Sequence, residues 1–342
     1  MAETAPTLAI AIPAYNRAER LDEVLVSILA QSRAPDEVVI CEDHSPQRTA
    51  IAAAVQARRG DFATRGIPLI YHENLENLGY DGNLRQLFSV ASADHVAVLG
   101  NDDRLDTTFV EHVVTLITDC RRLHGEAPLF ISRAYRKIDR DGVVTGTTWH
   151  RTATNYCPPG TLDAGTVFHW CAFISGLVFA RRQVLAWSTD AYDGGLYYQF
   201  HLALSAAAEG WCAYLAEPVV EGRHGVPPDF GASSAERATH RPGGYSVAAR
   251  TRMWQSVLAM ASQRSTLAVA QVRRVLDGRY AFPVVEMIAR DGRGELRRLW
   301  QEFRALGLFR RPLALTLIVI AFVAGRKTDL AFGLMRRLCG RT

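Results

Sequence analysis

Two acidic segments close two apolar runs in the first third of this chain: Glu42-Asp43 ends "DEVVICED", and Asn101-Asp102-Asp103 ends "ADHVAVLGNDD". Short apolar runs of this kind read as strands buried in a parallel sheet. Parallel sheets take ligands just beyond the carboxyl ends of their strands, so two acidic tips about sixty residues apart in sequence are expected to meet at one crevice. Carboxylates gathered there suit a nucleotide bound with a metal ion.

The surrounding pattern supports such a sheet. Apolar runs at 8–12, 37–41, 67–71 and 95–99 alternate with helix-period segments at 19–29, 48–59, 81–92 and 109–123. Asn16 with Glu19, and Thr108 with Glu111, have the spacing of capping boxes at two helix starts. Four strand–helix units in about 125 residues imply a mostly parallel sheet joined by right-handed crossovers and covered by helices.

After Pro128 the rhythm changes. "PLFISRAYRKID" and "GVVTGTTW" flank Asp141-Gly142, a hairpin signal, and residues 171–180 are a further candidate strand. Segments 155–166 and 222–245, rich in Gly and Pro, read as loops, the second long enough for a lid or a disordered stretch. Residues 182–187 and 197–209 look helical, as does most of the chain from 246 onward. The expected organisation is therefore a parallel α/β half at 1–127, a mixed half at 128–245 with a flexible loop at 222–245, and a helical region at 246–342.

Composition and charge narrow the partners. Of 342 residues 48% are hydrophobic, enough for a sizeable core. The six cysteines lack metal spacing and the first residues lack the basic segment of a signal peptide, so the expectation is free thiols in the cytoplasm. From Arg290 onward twelve Arg or Lys face four Asp or Glu, a net +8, so the remainder carries −4 of the overall +4. The parallel half is thus not basic and shows no interleaved aromatic and basic residues, which speaks against nucleic-acid binding. Residues 313–324 are uncharged and mostly apolar between Arg310-Arg311 and Arg326-Lys327. Twelve residues fall short of the roughly 20 needed to span a bilayer. An interfacial helix that brings 310–342 to an anionic membrane surface is the preferred expectation, with a buried helix or a homo-oligomer contact as alternatives.

Several residues at the strand ends have the chemistry for such a crevice. The loop "PAYNRAER" contains no glycine, so the G-x-G-x-x-G dinucleotide fingerprint is absent. Asp43 is placed to accept hydrogen bonds from a nucleobase or a ribose, or else caps the next helix, and Glu42 shares that ambiguity. Asn77, Gly79, Asn83 and Arg85 stand at a helix entry, where glycine permits close approach and Arg85 offers donors to a pyrophosphate. Asn101 and Asp103 present oxygen ligands for Mn²⁺ or Mg²⁺. "FHWCAFISG" at 168–176 is a candidate ligand wall, with Trp170 a stacking platform or a core residue and Gly176 allowing close approach, and Arg223 is a candidate phosphate neutraliser.

In this order the segments "AIPAYNR", "VVICEDHSPQRT", "NLGYDGNLRQL" and "LGNDD" resemble the motifs of inverting family 2 glycosyltransferases with the GT-A fold, over residues 7–105. Glu42, His44 and Asn101 depart from the family pattern. The resemblance implies a nucleotide diphosphate sugar as donor, UDP-linked by preference, with Asp43 at the base and Pro13, Tyr15 and Arg17 shaping the first nucleotide loop. Asp102 and Asp103 would lie at the diphosphate, with Asp103 the chief metal ligand and His224 a candidate third. It also makes 1–127 the nucleotide-sugar-binding half and 128–245 the acceptor-binding and catalytic half, with an acidic base at the start of a helix in that second half. The usual Glu-Asp pair is missing, and "STDAYDGGLYYQFHLAL" offers Asp193, with Asp190 in reserve. Expected acceptors are glycans, lipid-linked or small-molecule hydroxyls, and the expected location is cytoplasmic, peripheral on the inner face of the membrane. A catalytically inactive nucleotide-sugar-binding module and a nucleotidyltransferase are the competing readings.

Overall fold

The computed structural model describes residues 5–325 and Phe332. The apolar runs form β1 (Leu8–Ala14), β2 (Glu37–Glu42), β3 (Leu69–Glu73) and β4 (His95–Val98), with α1 (Ala18–Leu29), α2 (Arg48–Thr64) and α3 (Gly79–Val90) between them. β1 pairs in parallel with both β2 and β4, and β2 with β3, which delivers the parallel half expected from the alternation. Side chains alternate between two cores. Ala9, Ala11, Val39, Cys41, Val96 and Val98 face one layer, and Leu8, Ile10, Ile12, Val38, Ile40 and Ala97 the other. Burial on both faces is why these strands read as continuous apolar runs rather than as alternating ones.

The short β5 (Arg104–Leu105) and α4 (Phe109–His124) follow, then β6 (Phe130–Arg133), β7 (Tyr135–Ile138), β8 (Val144–Thr148) and β9 (Asn155–Cys157). β7 and β8 form the expected antiparallel hairpin, with Gly142 at φ 83° in its turn. β6 and β7 nevertheless belong to different sheets. Next come α5 (Ala164–Cys171), β10 (Leu177–Ala180), α6 (Arg181–Ala186), α7 (Tyr198–Glu209), β11 (Cys212–Leu215) and β12 (Val220–Arg223). The main sheet runs β3-β2-β1-β4-β10-β6-β11-β9, and a smaller one runs β5-β12-β7-β8. The main sheet is mixed, because β10 lies antiparallel to β4 and β6.

Several expectations are corrected. Residues 171–176 are not strand: α5 ends at Cys171, and Gly176 turns the chain into β10 at φ 82°. Neither capping box forms. Arg17, not Asn16, is the N-cap of α1, in left-handed conformation, and Thr108 makes no side-chain cap bond at α4. The Asn16 amide reaches Asp229 instead, and Glu111 accepts from Ser32.

The C-terminal region packs α8 (Val247–Ser262), α9 (Thr266–Val275), a π turn at Leu276–Tyr280, α10 (Ala281–Ala289), α11 (Arg293–Ala305) and α12 (Pro312–Ala324) against the larger core. α12 buries Ala314, Leu317, Ile318 and Ala321 while leaving Leu313, Val319, Phe322 and Val323 exposed. Among the described residues no helix is long and apolar enough to cross a membrane. Arg326, Lys327 and the rest of the basic tail expected to meet a membrane lie outside the described residues, apart from Phe332. Cys41, Cys120, Cys157, Cys171 and Cys212 are free and buried.

Candidate active site

A cleft of about 320 Å³ opens where β1, β2 and β4 end, within the size range of small-molecule sites. Three of the five described non-glycine residues with positive φ stand at these strand ends: Asn16 at 53°, Arg17 at 58° and His44 at 51°. Strained backbone of this kind persists where the surrounding structure holds it for a task.

At one end Asp43 is 2% exposed, and its Oδ1 accepts bonds from the Asn74 amide and the Leu78 N–H, both at 2.8 Å. Burial raises its pKa to about 6, against the opposing pull of these hydrogen bonds. Asn83 donates to the Cys41 carbonyl, and its own carbonyl accepts from Asn74, so β2, β3 and α3 are tied together around Asp43. At the other end Asp102 pairs with Arg17 at 2.6 Å. Asp103 is buried, with one oxygen accepting from the Ser175 hydroxyl and the other from the Arg223 N–H at 2.7 Å. Burial and the adjacent Asp102 charge both raise its pKa. The Asn101 amide donates to the Asn16 carbonyl at 2.9 Å and so braces the first loop.

Residues 224–245 fold over this cleft. Asn16 donates to Asp229 at 2.5 Å, Arg17 to the Pro227 carbonyl at 2.7 Å, and the Tyr80 N–H to Glu236 at 2.7 Å. The second Glu236 oxygen accepts from the Gly231 N–H, so one buried carboxylate fixes both the loop and its seat on α3. Gly79 permits that approach: a Cβ there would lie 2.5 Å from the Ser233 hydroxyl and 2.7 Å from Glu236, at φ 74°.

Of the residues expected at the site, Pro13, Tyr15, Arg17, Asp43, Asn77, Gly79, Asn83, Asn101, Asp102 and Asp103 all line the cleft. Glu42, Arg85, His224, Asp190 and Asp193 are not part of that lining. Glu42 is fully buried and accepts from the Ser45 N–H. Arg85 forms a two-pronged ion pair with Asp193, which engages both the expected pyrophosphate donor and the expected base. His224 is exposed, its ring 6.4 Å from those of Tyr135 and Phe173. Arg223 lines the cleft, but its guanidinium donates to the Asp102, Asp139 and Arg140 carbonyls and to Glu23. Four of its five N–H donors are so engaged, and it braces the site. Trp170 is 1% exposed and lies in the core.

The first turn of α7 holds no acidic residue. Gln199 sits there, buried, accepting from the Tyr80 hydroxyl and donating to the Cys171 carbonyl. The backbone at the start of α7 is instead held by Asp81 of α3, which accepts from the Leu196 and Tyr198 N–H groups. Phe173 and Ile174, within the candidate wall at 168–176, do line the cleft, whereas sequence reasoning missed Tyr80, Asp229, Phe230, Glu236 and Tyr245. The residues from 229 to 245 lie in a loop that carries no motif.

Comparison with known proteins agrees with this geometry. Residues 9–163 match the family described as Glycosyl transferase family 2. A 98-residue segment is 32% identical to abequosyltransferase RfbV of Salmonella typhimurium, covering 29% of this chain and 28% of that protein. A 100-residue segment is 31% identical to the uncharacterized protein MT1568 of Mycobacterium tuberculosis, covering 29% of each. The chain therefore spans less than a third of the curated relatives it matches. Among solved structures it resembles S. aureus TarS 1-349 in complex with UDP-GlcNAc, with TM-score 0.62 and 12% identity over 94% of this chain and 88% of that one. The complex of the same protein with UDP gives TM-score 0.60 and 12% identity over 96% and 91%. Residues 9–163 are thus similar to a family 2 glycosyltransferase domain, and the fold is GT-A.

Proposed function

We propose that this protein transfers a monosaccharide from a nucleotide diphosphate sugar, UDP-linked by preference, to an acceptor hydroxyl with inversion at the anomeric carbon. The observation that carries the proposal is one cleft at the ends of β1, β2 and β4 with Asp43 at one end and Asp102-Asp103 at the other. The UDP and UDP-GlcNAc complexes of the similar fold support the choice of donor.

In this reading Asp43 accepts a hydrogen bond from the base, and Tyr15 and Asn83 flank it. Arg17 and Asp102 lie at the diphosphate, and Phe173-Ile174 face the sugar. Among the described residues no group of three His, Cys, Asp or Glu side chains forms a ready metal site. Asp102 and Asp103 still fit a hard cation, because such ions bind through one or two carboxylates together with substrate phosphates. Bound there, Mn²⁺ or Mg²⁺ would offset charge on the departing diphosphate. The protein's own part is to hold the Asp102-Asp103 pair in place through Arg17, Ser175 and the Arg223 N–H.

Inversion requires a general base beside the attacking hydroxyl. Asp193 is engaged by Arg85, and Glu236 by two backbone N–H groups. Asp229, tethered by Asn16 and lining the cleft, is the base we propose. The exposed apolar face of α12 supports docking on an anionic membrane surface, where a lipid-linked acceptor would be presented. The function is tested by supplying UDP-sugars with simple hydroxyl acceptors and following the anomeric configuration of the product by NMR. An axial donor must give an equatorial product. Retention of configuration would reject the mechanism, and nucleotide binding with no turnover would favour a binding module.

A further inference from the structure

A second cleft, of about 500 Å³, lies between α5, α9 and the π turn and is lined by His150, Arg151, His169, Arg274 and Arg279, with Asp163 the one carboxylate. We propose that it is a separate binding site for a phosphate ester. The proposal does not depend on the reading of the first cleft.

Charge is the first argument. Asp163 is committed as the N-cap of α5, accepting from the Gly165 and Thr166 N–H groups and the Thr166 hydroxyl. Among the described residues none of the three arginines has an ion pair. Arg151 lies over the Trp170 ring at 5.2 Å, and Arg279 donates to the His169 Nε2. Around the first cleft, by contrast, Arg17, Arg85 and Arg223 each hold a carboxylate. Three guanidinium groups converging on one concave wall repel one another, and a doubly charged anion with several acceptor oxygens relieves that repulsion while satisfying forked donors.

Construction is the second argument. His169 accepts from Arg279 only when its ring is neutral, and burial together with the Arg279 charge lowers its pKa to about 4. The neutral ring thus fixes the guanidinium. His150 packs edge-on against it at 4.4 Å, and its Nδ1 is buried with no partner in the protein. The wall itself is stiff, because a Cβ on Gly165 would lie 2.9 Å from both the Gln271 carbonyl and the Val275 side chain. A rigid, cationic pocket with an unpartnered polar atom is suited to a phosphate group on a larger molecule.

The test is calorimetric titration of inorganic pyrophosphate into the full-length protein, with and without excess UDP, for wild type and the R274Q/R279Q double variant. Both substituted side chains are exposed, and thermal melts verify folding. The proposal predicts a binding component that UDP leaves in place and that the double variant weakens by roughly tenfold or more, the value of one lost charged hydrogen bond. Binding that UDP displaces completely, or that the double variant leaves unchanged, overturns it. Vesicles of phosphatidylcholine with and without phosphatidic acid separate the sources. Retention on phosphatidic acid that is lost in the double variant supports a lipid headgroup, and pyrophosphate binding without retention supports a soluble phosphate ester.

Discussion

Replacing Asp43 by asparagine separates the stability of this fold from its use. The hydrogen bonds from Asn74 and Leu78 go to Oδ1, each at 2.8 Å, and an amide oxygen can keep them, though more weakly than a carboxylate. The substitution removes a buried charge whose pKa is raised from 3.8 to about 6. At about 1.4 kcal/mol per unit the charge costs the folded state about 3 kcal/mol at neutral pH. The native form therefore binds more protons than the unfolded one between these values, and this group's cost grows as pH rises through that window and is constant above it. D43N should be more stable than wild type by up to about 3 kcal/mol at pH 7.5, with the gap shrinking towards pH 4. Urea denaturation at pH 7.5 and pH 4.5 measures it. The same change turns an acceptor into a donor at the base, so UDP affinity should fall by about tenfold or more. A variant no more stable than wild type at pH 7.5, or a gap that widens as pH falls, would refute the reasoning.

Other substitutions test other parts of the account. E236A frees 224–245 from α3; amide exchange in that segment should accelerate and the donor KM should rise about tenfold. D229N should lower kcat by about a hundredfold or more with UDP binding little changed, whereas D193N, which breaks a partly exposed ion pair, should cost about 1 kcal/mol of stability and leave kcat within a few-fold. Steady-state kinetics with UDP titrations separate the two carboxylates. G176A places a Cβ 2.5 Å from Val220 and 3.0 Å from Arg133 at φ 82°, and should destabilise the fold by about 2–4 kcal/mol in urea melts.

The parallel half was legible because its strands are buried on both faces, which leaves short apolar runs separated by helix-period segments. Observed β1, β2, β3 and β4 start within two residues of the expected runs. The cleft residues at these strand ends were legible for the same reason: topology alone brings Asp43 and Asp102-Asp103 to one edge. The second half was less so. The step from β6 to β7 changes sheets within "SRAYRK" with no break in composition, and Gly176 hides a turn inside an apolar stretch. The pairing of Asp193 was hidden because a glycine-flanked aspartate looks free in sequence, and only the fold brings Arg85, 108 residues away, against it. Glu236 and Asp229 reach the cleft through a loop whose course is set by long-range contacts with Asn16, Arg17 and Tyr80, which no local pattern encodes. Asn16 looked like a cap, yet its amide is the tether of that loop.

The central claim is that the cleft binds and cleaves a nucleotide diphosphate sugar with a divalent cation. The most direct measurement is thermal stabilisation and slow hydrolysis of UDP-, GDP- and dTDP-sugars by the purified protein, with Mn²⁺ or Mg²⁺ and with EDTA. The account predicts that a UDP-sugar raises the melting temperature saturably and is hydrolysed only when the cation is present, with the affinity weakened in D43N. Absence of stabilisation and of hydrolysis with every nucleotide sugar would contradict it.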